Sequence, residues 1–168
     1  MYSIDNILVT TDFSDFSTAA LDYAISLADL HVANIHLLHV IDEHPVHGRR
    51  KQGKHGRTAA KSAEETAGQT MQQFVYEMVN EYVNVKQVIR IGHPAEEIIR
   101  YAAEEHIDLI VMATHGRTGL AHMLIGSIAE KVVRSSAVPV LTVRPTAVLE
   151  RLITESDIAK DLHIGVEG

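Results

Sequence analysis

The sequence predicts an α/β fold in which an open five-stranded parallel sheet carries helices on both faces. Two observations lead to this prediction: five short apolar runs recur along the chain, and stretches with apolar residues at helical spacing separate them. This alternation favours parallel strands, because each crossover is long enough to return the chain and is right-handed almost without exception. The chain has 168 residues, which suits one core, since domains typically contain about 100–200 residues.

The predicted strands are rich in Ile, Leu and Val and end at polar or turn-forming residues. They run from Ile7 to Val9, from Ile35 to Ile41, from Val85 to Ile91, from Ile107 to Ala113 and from Val138 to Val143. The first strand is apolar throughout and leads into Thr10-Thr11-Asp12, which is typical of a strand buried on both faces. It should therefore lie centrally in the sheet.

Four helices are predicted between the strands from apolar periodicity and from residues that favour helix starts. They begin at Ser14 or Ser17, run from Thr58 to Tyr82, run from Pro94 to about Glu105, and begin at Ser127, which is expected to cap its helix. The polar stretch before the second helix, from Glu43 to about Arg57, is predicted to be a mobile loop. Its five basic residues, in a chain of net charge −7, favour an electrostatic role, although a simply solvated loop is the alternative.

Composition excludes several classes of function. With no cysteine, the chain has no disulfide framework, thiolate zinc site or thiol nucleophile. The longest unbroken apolar run, 109–113, is far shorter than the ~20 residues that span a bilayer, and the N-terminus has no export signal. We therefore expect a cytoplasmic protein without membrane insertion. The net charge of −7 argues against general nucleic-acid binding.

The segment after the fourth predicted strand has the spacing of an anion-binding turn. Ligands of such sheets bind at the carboxyl ends of strands, where the strand order reverses. Gly116 would let backbone amides approach a phosphate, and Gly126-Ser127 at a helix start would add free amides, a hydroxyl and the positive end of the helix dipole. The spacing is equally compatible with a plain turn at Gly116, a loop residue at Gly126 and an N-cap at Ser127.

Three segments together resemble the universal stress protein family: ILVTTDFS, LLHVID and DLIVMATHGRTGLAHMLIGSIAEKVVRSSAVPVLTVR. The resemblance covers roughly residues 2–144. It implies a Rossmann-like sheet, of the adenine nucleotide alpha hydrolase-like kind, with strand order 3-2-1-4-5. We therefore expect a domain at residues 1–144, followed by a C-terminal extension at 145–168 that is predicted to be helical.

The resemblance also implies ATP as the ligand, with Mg²⁺ carried by the nucleotide. Asp12 matches the family residue that contacts adenine, and Thr10 and Thr11 line the same opening. The backbone of Val40 matches a further adenine contact, while Met112 and Ala113 fall where the chain touches base and ribose. The positions that match phosphate contacts are Gly116, Gly126, Ser127 and Ile128.

One residue departs from the family pattern. Nucleotide-binding members carry Gly-x2-Gly-x9-Gly-Ser/Thr after the fourth strand, and here the first glycine is replaced by Ala113. An added methyl group matters if the backbone there needs a positive φ or if the ligand lies against that Cα. We expect an extended strand end at this position, and ATP remains the predicted ligand.

Several of these residues also have purely structural interpretations. Asp12 could serve only to accept hydrogen bonds from amides at the start of the first helix, and Met112 could belong to the core. His115, inside the glycine segment, could reach a phosphate or lie in a surface turn. His44, His47 and His55 do not match a His-x3-His helix site, so no metal site is predicted.

The leading functional hypothesis is an ATP-binding regulatory protein that forms a homodimer through the unguarded strand from Val138 to Val143. The alternative is a dimeric interaction module of the same family that binds no nucleotide. An adenylyl-transferring enzyme is disfavoured, because such enzymes carry His-Ile-Gly-His or Ser-Gly-Gly-x-Asp-Ser after strand one and this chain has Thr11-Asp12-Phe13-Ser14. No catalytic residue is predicted, and slow ATP hydrolysis or self-phosphorylation is the most turnover expected.

Overall fold

A computed structural model describes residues 3–43, 54–79, 83–114 and 125–144, with the backbone alone described for 54–60. Five strands and four helices alternate along these ranges. They are β1 (Asn6–Thr10), α1 (Asp15–His31), β2 (Asn34–Asp42), α2 (Lys54–Met78), β3 (Val85–Gly92), α3 (Pro94–Glu104), β4 (Leu109–Ala113), α4 (Ser127–Ser135) and β5 (Val140–Val143). The predictions for His44, His47, His115, Gly116 and the extension 145–168 lie outside the described residues.

The strands form one parallel sheet in the order β3-β2-β1-β4-β5, which confirms the predicted fold class. β1 lies at the centre and pairs with β2 on one side and with β4 on the other. Ile7, Leu8 and Val9 have no exposed surface, as a strand covered by helices on both faces requires. The strand order reverses between β1 and β4, so the carboxyl ends of these two strands flank the switch point.

Two apolar layers cover the faces of the sheet. Ile7 and Val9 pack with α1 and α2 on one face, whereas Leu8 packs with α3 and α4 on the other. This division follows from the period of two in a strand, which sends successive side chains to opposite faces. The helices of the second layer, α3 and α4, begin at the same edge of the sheet as the switch point.

Several predicted boundaries differ from the structure, and the fourth strand begins at Leu109 rather than Ile107. The last strand begins at Val140 rather than Val138, because the Ser136 side chain bonds the backbone of Val138 in a local turn and Pro139 has no N–H. The second helix begins at Lys54 rather than Thr58, so the last part of the predicted loop is helical. A glycine inside a helix costs only about 1 kcal/mol relative to alanine, and Gly56 therefore does not stop this one. The helix ends at Met78, four residues before the predicted Tyr82, which lies outside the described residues.

A buried polar contact anchors α3 to β2. His36 Nδ1 and the Tyr101 hydroxyl are hydrogen-bonded at 2.8 Å, and Tyr101 is almost completely buried. The Arg90 guanidinium lies 4.8 Å from the centroid of the Tyr101 ring, on the side of β3. The contact fixes α3 at Tyr101, about one turn after Ile98, which lies near the switch point.

Burial lowers the pKa of His36, and the positive charge of Lys86 lowers it further, while Glu105 acts in the opposite direction. The folded state thus favours neutral His36, whereas the unfolded chain binds a proton with a pKa of about 6.5. The stability that comes from neutral His36 is present above about pH 6.5 and is lost as the pH falls below that value.

We predict that the free energy of unfolding decreases more steeply between about pH 7.5 and 5.5 in the wild type than in His36→Asn. The variant keeps a polar side chain near Tyr101 but removes the titrating group. Urea unfolding at several pH values measures the two slopes, and equal slopes would contradict the assigned role of His36.

Candidate functional site

A cavity of about 290 Å³ opens at the switch point of the sheet. Its walls come from the carboxyl ends of β1, β2 and β4 and from the starts of α1, α3 and α4. Nine of the ten predicted site residues line it: Thr10, Thr11, Asp12, Val40, Met112, Ala113, Gly126, Ser127 and Ile128. The tenth, Gly116, lies outside the described residues. Positions far apart in the sequence are therefore brought to one site.

Asp12 lies in the turn between β1 and α1. Its Oδ1 accepts a hydrogen bond of 3.1 Å from the Ser14 amide and another from the Ser14 hydroxyl. Ser14 is the N-cap of α1 but makes no side-chain bond to the helix, so the Asp12 carboxylate organises the helix entry. The structure therefore contains the hydrogen bond to an amide at the helix start that the structural interpretation of Asp12 requires. A carboxylate has about four lone-pair sites, so this contact does not prevent it from binding a ligand as well.

The same turn contains Phe13, which has a left-handed backbone with φ of 63°. This conformation is uncommon for a bulky residue. The amide of Phe13 donates to Thr11 Oγ1 at 2.9 Å, and Thr11 Oγ1 is also 2.9 Å from Ser17 Oγ. Thr11 and Ser17 are buried, so a paired set of hydroxyls lies beneath the turn.

The N-terminus of α4 forms another wall of the cavity. Gly126 is the N-cap of this helix, which corrects the prediction that Ser127 caps it. Ser127 is the first helical residue, one position after the cap. The amide of Gly126 donates to the Thr114 carbonyl at 2.6 Å, and the first bond within the helix runs from the Glu130 amide to the Gly126 carbonyl.

This arrangement changes which backbone donors face the cavity. The Gly126 amide is already occupied, whereas the amides of Ser127, Ile128 and Ala129 precede the first intrahelical donor and have no acceptor within α4. All three residues line the cavity. The available donors therefore begin at Ser127, one residue after Gly126, which is predicted from the sequence to contribute its amide.

Ala113 is the last residue of β4 and pairs with Val143 of β5. Its backbone is extended, as expected, so a glycine is not required for conformational reasons. Ala113 packs with the α1 and α2 layer, while the preceding Met112 packs with the α3 and α4 layer. The methyl group therefore points away from the face on which α4 begins.

The cavity wall on the α3 and α4 face is largely aliphatic. Met112 and Val40 contribute from two strands, and Pro94 and Ile98 contribute from the first turns of α3. Among the described lining residues, Asp12 is the single carboxylate and His39 the single imidazole, and there is neither lysine nor arginine. The site thus combines an apolar wall, one acidic acceptor and a helix N-terminus.

Sequence reasoning missed seven lining residues: Ser17, Leu38, His39, Pro94, Ile98, Thr114 and Ala129. Pro94 and Ile98 could have been found from the sequence. They are four residues apart on one face of α3, and α3 begins at the carboxyl end of β3, which is the edge of the sheet where the cavity lies. His39 gives a weaker signal, since strand alternation places it on the face opposite Val40. No feature of the sequence predicts its contact with Thr11.

The described residues contain neither a candidate metal site nor a candidate membrane-spanning helix. Within them, no cluster of three or more His, Asp or Glu side chains could hold a metal ion. Nor does any helix in the described part of the chain combine the length and hydropathy needed to cross a bilayer.

The doubly wound sheet and the cavity at its switch point define an α/β protein of the Rossmann-like class. The model of the universal stress protein family matches residues 3–144, and the chain belongs to that family. It is 34% identical to the universal stress protein MJ0577 of Methanocaldococcus jannaschii, over 82% of this chain and 93% of that protein. It is 31% identical to the universal stress protein YxiE of Bacillus subtilis, over 83% of this chain and 99% of the relative.

Solved structures show the same fold. The structure of MJ0577 superposes with a TM-score of 0.77 at 33% identity, covering 86% of this chain and 98% of the other. A universal stress protein in complex with cAMP matches with a TM-score of 0.55 at 22% identity, over 84% of this chain and 98% of the other. The universal stress protein of Archaeoglobus fulgidus in complex with dAMP matches with a TM-score of 0.56 at 19% identity, again over 84% and 98%.

Proposed function

We propose that this universal stress protein is a regulatory protein that binds ATP, with Mg²⁺ carried by the nucleotide, in the cavity at the switch point. The observation that carries the proposal is the convergence in one cavity of Asp12, an aliphatic wall and the N-terminus of α4. An adenine nucleotide needs these three features, namely an acceptor for its amino group, an apolar surface for its ring and donors for its phosphates. The complexes of two family members with cAMP and dAMP, both adenine nucleotides, are in keeping with it.

The base end of the proposed site lies between β1 and β2. Asp12 would accept a hydrogen bond from the exocyclic amino group of adenine, and the backbone of Val40 would meet the ring. Met112 and Ile98 would cover the ring with apolar surface, which stabilises binding in proportion to the area removed from water. Guanine carries a carbonyl where adenine has its amino group and would place it against a carboxylate, so GTP should bind less tightly than ATP.

The phosphate end of the proposed site is α4. The amides of Ser127, Ile128 and Ala129, the Ser127 hydroxyl and the positive end of the helix dipole would bind the phosphate oxygens. Because the described lining has no lysine or arginine, Mg²⁺ on the nucleotide would neutralise much of the remaining charge. AMP, with fewer phosphate contacts, should bind less tightly than ATP.

We predict that calorimetry with ATP and Mg²⁺ shows binding, with weaker binding of AMP and GTP.

In Ser127→Ala, ATP affinity should fall by about ten- to a hundredfold, because a lost hydrogen bond to a charged group is worth about 1.5–3 kcal/mol. Adenosine affinity should change little, since adenosine has no phosphate. The melting temperature should also change little, because Ser127 is the first helical residue and not the N-cap.

Ser135→Ala makes the same chemical change at the other end of α4 and serves as the control, with ATP affinity like that of the wild type. An absence of heat and of a thermal shift at millimolar nucleotide would contradict the proposal and favour the interaction module without nucleotide. Equal ATP affinity in Ser127→Ala and in the wild type would remove Ser127 from the phosphate site.

We predict that Ala113→Gly, which restores the glycine of the family pattern, changes ATP affinity by less than about threefold. The reason is that the Ala113 methyl group packs with the α1 and α2 layer rather than toward α4. The variant should instead lower the free energy of unfolding by about 0.5–1 kcal/mol, the usual effect of glycine in a strand. Denaturant unfolding and ATP titration separate the two effects, and a large gain in ATP affinity would show that the methyl group obstructs the ligand.

We also propose that the chain forms a homodimer through β5, which lies at an edge of the described sheet. The carbonyls of Pro139 and Val143 accept hydrogen bonds from the β4 side. By strand alternation, Val140 and Thr142 direct their backbone groups to the open side, where a second copy could pair with them. Such an interface would be isologous, with the same strand on both subunits.

Sedimentation at micromolar concentration should therefore give the mass of a dimer. Thr142→Pro, which removes an N–H directed to the open side, should shift the protein toward the monomer, whereas Thr142→Ala keeps the amide and should remain dimeric. A monomeric wild type would contradict the dimer, and a dimeric Thr142→Pro would exclude this edge as the interface.

A further inference from the structure

His39 contacts both neighbours of Asp12 in the chain. From β2, its Nδ1 lies 2.8 Å from the Thr11 carbonyl oxygen, and its ring lies 4.3 Å from the Phe13 ring between centroids, with 32° between the planes. One imidazole therefore touches the residue before Asp12 and the residue after it.

The hydrogen bond to Thr11 fixes the tautomer of the imidazole. A carbonyl oxygen can only accept, so Nδ1 of His39 must carry a proton and donate it. This bond is present whether the ring is neutral or charged, because Nδ1 is protonated in both states. A second bond, from the Thr11 amide to the Leu38 carbonyl at 2.9 Å, ties the same residue to β2.

The ring contact acts on the strained residue of the turn. Phe13 holds a left-handed backbone that is unfavourable for a bulky side chain, and such a conformation persists only where its surroundings fix it. His39 stacks on one side of the Phe13 ring, and Phe74 of α2 packs edge-on at 5.8 Å. These ring contacts add to the hydrogen bonds within the turn, from the Phe13 amide to Thr11 Oγ1 and from the Ser14 amide to Asp12, and so help to hold its shape.

We propose that His39 is a positioning residue of the nucleotide site, which holds the turn from Thr11 to Ser14 in the shape that presents Asp12 to the cavity. This inference rests on the proposed function, because it assigns His39 a role in adenine binding that acts through Asp12. A residue that acts at the base end should affect adenosine and ATP alike, in contrast to Ser127.

Two variants separate the contacts of His39. His39→Phe keeps an aromatic ring beside Phe13 but removes the donor to Thr11, whereas His39→Asn places an amide N–H near the position of Nδ1 but removes the ring. We expect His39→Phe to raise the Kd of adenosine and of ATP by the same factor, about three- to tenfold, as for one lost hydrogen bond. His39→Asn should recover part of this loss.

A double-mutant cycle with Asp12→Asn tests whether His39 acts through Asp12. In the Asp12→Asn background, His39→Phe should change the Kd of adenosine by less than about twofold, because the carboxylate that it positions is already absent. His31→Phe, at the exposed end of α1, is the matched control and should bind like the wild type.

The possible outcomes are distinct. A His39→Phe protein that melts earlier but binds adenosine as tightly as the wild type would show a merely structural role and overturn the inference. Additive effects in the cycle would overturn the route through Asp12. A wild type that binds neither adenosine nor ATP would overturn the proposed function and this inference together, whereas a binding wild type with unaffected His39 variants would overturn this inference alone.

Discussion

The pairing of β1 with both β2 and β4 fixes where the rest of the protein can lie. Because β1 is central and has no exposed apolar side chain, its two neighbours and both helical layers must close around it. All five strands run in the same direction, so every β-to-α connection leaves from one edge of the sheet. The reversal of strand order beside β1 then leaves a gap at that edge, and this gap is the cavity.

The contents of the cavity follow from the same constraint. A parallel sheet delivers strand carboxyl ends and helix N-termini to one edge, so the site receives backbone amides without any charged side chain being needed. The bond from the Gly126 amide to the Thr114 carbonyl refines this general rule, because it joins the start of α4 to the end of β4 and occupies one donor. The glycine at this position thus serves the junction between strand and helix, and the helix-start amides without an acceptor in α4 belong to the three cavity-lining residues that follow.

How much of this could be predicted depends on the kind of interaction. The five strands and the sheet class were predictable, because apolar runs buried on both faces leave a strong mark in the sequence. The boundaries of the elements were less predictable. The start of β5 depends on one side-chain bond at Ser136. The cap of α4 lies one residue from its predicted position, as is common for helix ends. The contact of His39 with Thr11 could not be predicted, because it joins the ends of two neighbouring strands and no periodicity encodes it.

In the proposed site, the turn that holds Asp12 uses the same atoms for stability and for binding. The carboxylate organises the start of α1, and Phe13 beside it keeps an unfavourable backbone that its ring contacts and the bond from its amide to Thr11 Oγ1 stabilise. A glycine would adopt this backbone with less strain, but it would provide no ring for His39 and Phe74 to hold. A turn fixed by packing on two sides needs little further ordering when a ligand arrives, and preorganisation of this kind improves affinity by lowering the entropic cost of binding. The packing of Phe13 thus keeps Asp12 at the cavity in a fixed turn, at a cost in backbone strain.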